Sequence, residues 1–190
     1  DGVVIHGEHG IDEWQEPARR AVRITTLTLE PTAALYEKAK QALLQADLII
    51  LGPGDLYTSV LANCVVTGFR ETLQRAPAPV VYVSNLMSKA GQTIGLHAAE
   101  HLAEIARYTG RQPDYLLCNN APLPQALVEK YASEGDHPVE NNYTGDTGTK
   151  VVALPLLAKE EIKTVAGDVL RRSLIRHDAN KLAVAIRALL

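Results

Sequence analysis

Four short apolar runs set the tightest limit on the fold. They are ADLIIL (46–51), PVVYVSN (79–85), PDYLLCNN (113–120) and VVALPLL (151–157). Each has the length of a strand, and Pro155 limits the last one. Between them, apolar residues return at helical spacing. Leu35, Ala39, Ala42, Leu43 and Ala46 share one face of a predicted helix over 32–45. Ala99, Leu102, Ala103 and Ala106 do so over 97–108, and Leu182, Ala185, Ile186 and Leu189 over 178–190, where Asp178 is placed as an N-cap. Buried strands alternating with helices predict an α/β fold with a mostly parallel sheet, covered on both faces. The N-terminal residues 1–29 differ. Their alternating Val22, Ile24, Leu27 and Leu29 predict a β-hairpin. The polar stretch 133–150 has no clear period, and a loop of that length is either functional or disordered.

In open parallel sheets, ligands bind beyond the carboxyl ends of the strands. Three segments fall there: Gly52–Ser59, Asn85–Thr93 and Asn119–Pro124. In the first, Gly52, Pro53 and Gly54 permit a tight turn and a close approach to the main chain. Asp55, Leu56, Tyr57, Thr58 and Ser59 follow. One reading is a cradle for a phosphate or diphosphate at a helix start. The other is a plain strand-to-helix turn capped by Asp55. The segment is neither a P-loop nor a complete dinucleotide fingerprint, because no Gly-Lys-Ser/Thr follows and Tyr57 stands at the third glycine. In the second segment, Asn85, Ser88, Gln92 and Thr93 are neutral hydrogen-bonding groups, and Lys89 is the single charge. Such a lining suits a base or a sugar, and equally a polar connecting loop.

Net charge is −3 at pH 7, which argues against a dedicated nucleic-acid binder. No apolar run reaches the roughly 18 residues of a membrane span. The opening DGVVIHGEHG lacks the basic-then-apolar pattern of a signal peptide, and the two widely separated cysteines read as thiols of a cytoplasmic protein. Cys64 and Cys118 fit no metal or redox spacing and are expected to be reduced, buried thiols. His97 and His101 share a helix face, but HAAEH is not the zinc motif H-E-x-x-H, and a single ligand-facing histidine, His101, is the better candidate. His6, Glu8 and His9 read as an exposed turn. Asp168, Arg171, Arg172, Arg176, Asp178, Lys181 and Arg187 read as a solvated surface, or else Arg176 reaches a phosphate.

ADLIILGPGDLYTSV, VYVSNLMSKAGQTIGLHAAEHL and IRHDANKLAVAI resemble, in order, three segments of the CofD-like proteins, specifically the YvcK-type branch known as gluconeogenesis factors. DGVVIHGEHGI and VRITTLTLEP resemble the hairpin that precedes them in that family. The resemblance implies a Rossmann-like three-layer fold. It also implies that residues 1–190 are one domain, the C-terminal part of a larger CofD-like domain whose Gly-rich N-terminal half is absent here. Members of the branch bind UDP-sugars such as UDP-N-acetylglucosamine and are linked to growth on gluconeogenic carbon and to cell shape. A diphosphate-bearing small molecule is thus the expected partner, with no nucleic acid and no membrane, and a homo-oligomer is compatible. The sister branch is 2-phospho-L-lactate transferase of deazaflavin coenzyme biosynthesis. Under that alternative the chain is an enzyme using magnesium, held by acids of the absent half. A binding or scaffold protein with a remnant pocket is the third reading.

By this resemblance Gly52, Pro53, Gly54, Asp55, Leu56, Tyr57, Thr58 and Ser59 line the phosphates. Asn85, Met87, Gln92, Thr93 and His101 form a second wall, and Tyr131 and Arg176 are further candidates. No catalytic residue and no metal ligand is assigned. Two departures stand out. Asp55 replaces the family's usual Ser, placing an acid where a phosphate is expected. Ser88-Lys89-Ala90 replaces Thr-Gln-Pro.

Overall fold

A computed structural model describes residues 2–12, 22–145, 148–159 and 173–190. Four strands, β1 (Ile49–Leu51), β2 (Val80–Val83), β3 (Tyr115–Asn119) and β4 (Lys150–Leu154), form one sheet in the order β1-β2-β3-β4, and every pairing is parallel. Each apolar run of the sequence supplies one strand. β2 is buried along its whole length, which is why VVYV shows no alternation.

The helices are α1 (Gly7–Asp12), α2 (Glu37–Gln45), α3 (Ala62–Cys64), α4 (Phe69–Arg75), α5 (Ala98–Thr109), α6 (Gln125–Glu134) and α7 (Ala179–Arg187). A π-helical turn, Leu56–Leu61, leads into α3. On one sheet face, Ile49, Leu51, Val80, Tyr82 and Leu116 pack with Leu56, Tyr57 and Leu61 of the turn, Leu73 of α4, and Leu102 and Ile105 of α5. On the other face, Val81, Val83 and Leu117 pack with Leu156 and with Leu182, Ala185 and Ile186 of α7. The expected cap at Asp178 forms, whereas Asp55 makes no capping bond. The Asp178 carboxylate accepts from the Asn180 and Lys181 amides, and His97 and Glu100 close a reciprocal capping box at the start of α5.

The expected N-terminal hairpin is not seen among the described residues. GEHGID forms α1, and 22–29 has no ladder partner among the described residues. Residues 13–21 lie outside the described residues. The alternation over 22–29 has a different cause. Ile24 and Leu27 pack onto the core, while the chain is pinned by side chains and loops: the Leu27 amide donates to Tyr108 Oη (2.6 Å), Arg107 donates to the Thr25 carbonyl (2.9 Å), and the Ile24 amide donates to the Gln92 carbonyl (3.0 Å).

The polar stretch after α6 is a clasp. Ser88 and His137 exchange hydrogen bonds, the Ala90 amide donates to Asp136 (2.6 Å), and the Ala98 amide donates to the Glu140 carbonyl (3.0 Å). It therefore braces the loop between β2 and α5. No helix among the described residues is long and apolar enough to cross a membrane.

Both cysteines are free and buried, and burial pushes the Cys64 thiol up to about 12 and the Cys118 thiol upward as well. Neither thiol should react with a maleimide in the native protein at pH 8, while both should react in denaturant. Rapid native labelling of either, read by intact mass, would contradict this packing.

Candidate functional site

Because all four strands are parallel, their carboxyl ends share one edge of the sheet. The loops after β1 and β2 meet there. Gly52 turns the chain at φ +84°, and a Cβ on it would lie 3.0 Å from the Val83 carbonyl oxygen, so the position requires glycine. Gly54 lets Ser59 fold back closely, since a Cβ there would sit 3.1 Å from the Ser59 Cβ. The amides of Ser59 and Val60 both donate to the Asp55 carbonyl, each at 3.0 Å, which opens the π-helical turn.

A buried polar chain fixes this turn to β2. Asn85 Nδ2 donates to the Gly54 carbonyl (3.0 Å), Tyr82 Oη donates to Asn85 Oδ1 (3.1 Å), and Tyr82 Oη lies 2.8 Å from His101 Nδ1. The tyrosine has one proton. Donating it to Asn85, whose oxygen can only accept, requires His101 to carry its proton on Nδ1. Nε2 of His101 is then bare, and it has no hydrogen-bond partner among the described residues. Burial lowers the His101 pKa to about 4, so the ring is neutral at pH 7.

The charge of the site comes from three residues on different segments. Lys89 donates to Asp12 Oδ1 of α1 (2.8 Å) and pairs closely with the Asp55 carboxylate. Both contacts hold the Lys89 pKa above its ordinary value despite partial burial. Gln92, fully buried, donates from Nε2 to the same Asp12 oxygen (2.7 Å). A carboxylate only accepts, so this bond fixes the amide orientation and leaves Gln92 Oε1 as an acceptor without a partner among the described residues. Thr58 Oγ1 is a second such atom. A lone pair in that state asks for a donor from a ligand or from water.

The sequence-based candidates divide accordingly. Gly52, Pro53, Gly54, Asp55, Thr58, Ser59, Asn85, Gln92 and Thr93 gather at the edge formed by the loops after β1 and β2. Within this group Asn85 has both ends of its amide engaged by protein, and Thr93 Oγ1 accepts from the Lys89 amide (2.8 Å). Leu56 and Tyr57 are core residues instead. The Tyr57 hydroxyl donates to Glu104 (2.9 Å), and burial beside that carboxylate raises its pKa. Met87 is half-buried and bridges Pro138 of the clasp. His101 reaches the turn only through Tyr82 and Asn85.

Tyr131 and Arg176 belong to the other end of the sheet. The Tyr131 hydroxyl accepts from the Leu174 amide (2.8 Å) and contacts Ser173. Arg176 is exposed, and its carbonyl accepts from Ala158 beyond β4. β4 lies three strand spacings from β1, roughly 14 Å. Asp168, Arg171 and Arg172 lie outside the described residues. In the third loop, Asn119 is engaged with Ala121 and Leu156.

Sequence reading passed over Lys89 as a group of the site, and Asp12 altogether. The signal available was Lys89 as the single charge of its loop. The acid at position 55, set where the resemblance expects a phosphate, is paired with that lysine, which lies between Asp12 and Asp55. Among the described residues, no three His, Cys, Asp or Glu side chains are grouped to hold a metal.

The structure defines an open parallel α/β sheet whose loops after β1 and β2 meet at its carboxyl edge. The sequence model of the family described as 2-phospho-L-lactate transferase CofD matches residues 1–157, and the chain belongs to that family. Among curated proteins it is similar to the gluconeogenesis factor of Bacillus subtilis (33% identity, covering 96% of this chain and 54% of that protein). It is also similar to the gluconeogenesis factor of Listeria monocytogenes (31% identity, 100% and 54%). A crystal structure of a Bacillus halodurans protein superposes with a TM-score of 0.81 at 29% identity, covering 98% of this chain and 56% of that one. The chain thus spans about half the length of these relatives.

Two predictions follow from the turn and its support. Gly52→Ala should lower stability by about 1–3 kcal/mol, the usual range for a side chain forced into this backbone region; an unchanged denaturation midpoint would contradict the geometry. His101, depressed to about 4 in the folded state against 6.5 ordinarily, binds fewer protons than in the unfolded chain between those values. Stability should therefore fall as pH drops below 6.5, by about 2 kcal/mol at pH 5. Urea unfolding of His101→Gln should show a smaller loss between pH 7.5 and 5; an equal loss would place the titration elsewhere.

Proposed function

We propose that the chain binds a nucleotide sugar of the UDP-N-acetylglucosamine class at the edge formed by Gly52–Ser59 and Asn85–Thr93. In this reading it acts as a gluconeogenesis factor linked to carbon metabolism and cell shape. The observation that carries the reading is the pairing of Lys89 with Gln92 on one carboxylate, Asp12. The pair presents a cation beside a buried, unpartnered acceptor. A diphosphate oxygen suits the first, and a sugar hydroxyl or the uracil N3–H suits the second. The glycine turn admits the phosphates close to the main chain. The curated relatives support the same reading through their names, which concern gluconeogenesis and describe no reaction.

Isothermal titration of the full-length protein with UDP-N-acetylglucosamine should give saturable binding, and Lys89→Met should weaken it by about tenfold or more, the usual size of a charged hydrogen bond. Absence of heat with UDP and with every UDP-sugar tried would overturn the proposal.

A further inference from the structure

Asp55 and Asp12 share one ammonium, and they are held unequally. Asp12 Oδ1 receives both Lys89 Nζ and Gln92 Nε2. The Asp55 carboxylate is paired with Lys89 but makes no capping bond to the turn it precedes, although it stands at the N-cap position. Its main chain is fixed, because Asn85 holds the preceding carbonyl at Gly54 and the Ser59 and Val60 amides hold its own. Releasing Lys89 therefore needs only a side-chain rotation of Asp55 toward solvent, to which the residue is already partly open. An ion pair this exposed is weak and readily exchanged.

We infer that Asp55 is a built-in occupant of the anion position: its carboxylate rests on Lys89, and the ligand binds by displacing it. This inference rests on the reading of the edge as a phosphate-binding site. Asp12, backed by Gln92, stays on Lys89 and keeps the ammonium in place while its second partner changes from carboxylate to phosphate. The ligand class is an anion able to replace a carboxylate on a single ammonium and to give a hydrogen bond to Gln92 Oε1, which is a phosphate ester bearing hydroxyl or N–H groups. An occupant of this kind screens Lys89 from weak anions and sets a threshold for the ligand.

The test is a double-mutant cycle on the full-length protein, titrated with UDP and with UDP-N-acetylglucosamine. Asp55→Asn should tighten binding by about fivefold, the upper size of an exposed pair. Lys89→Met should weaken it, and Asp55→Asn added to Lys89→Met should change it less than twofold. Asp55→Ser serves as a second variant of the same charge, so that one misfolded protein does not decide the outcome. Weaker binding by both Asp55 variants would overturn the inference while leaving the nucleotide-sugar reading standing. An equal gain with and without Lys89 would also overturn it, by showing general charge repulsion in place of competition. Weak heat from wild type that becomes saturable binding in either Asp55 variant would support both. Binding absent from all of them would overturn both.

Discussion

The hydrogen bond from Asn85 to the Gly54 carbonyl joins the two loops on which the candidate site depends. It spans the ends of neighbouring parallel strands, where no ladder bond is available to hold the turn. Its donor is oriented by Tyr82, and Tyr82 by a histidine that burial keeps neutral. A charged ring in this position would add an N–H at Nε2, which has no hydrogen-bond partner among the described residues, and would need hydration that the packing excludes. The neutral histidine, the tyrosine and the asparagine thus act as one unit that fixes the backbone of the glycine turn. Asn85, expected as a ligand group, is a positioning residue in this account.

On that fixed turn the electrostatics are local. A π-helical turn of six residues followed by a three-residue helix offers only a weak and irregular dipole to an anion. The charge comes instead from one lysine between two carboxylates, one of them brought from α1 at the other end of the sequence. The clasp of residues 136–140 holds the same loop from the opposite side, through Ser88, Ala90 and Ala98. The lysine therefore stands on a loop braced by the sheet, by α1 and by the clasp together.

The sheet was readable because burial on both faces leaves an unbroken apolar run, and β2 is such a run from Val80 to Val83. The glycine turn was readable because few residues other than glycine tolerate the φ of Gly52. Tyr57 was misplaced for a physical reason: a tyrosine beside two hydroxyl residues looks polar, yet its ring fills the core and its hydroxyl finds Glu104, 47 positions away. The apolar residues at 22–29 resembled a strand, yet the two that pack onto the core, Ile24 and Leu27, stand three apart and are held by loop and side-chain contacts. Asp12 lay beyond sequence reasoning, since nothing local marks a carboxylate whose partners stand at 89 and 92.

The central claim is that the ligand lies on the edge formed by the loops after β1 and β2. Hydrogen–deuterium exchange of the full-length protein, with and without saturating UDP-N-acetylglucosamine, locates it directly. The account predicts slower exchange in peptides covering 52–59 and 85–95. Protection confined to other segments, with both of these loops unchanged, would contradict it.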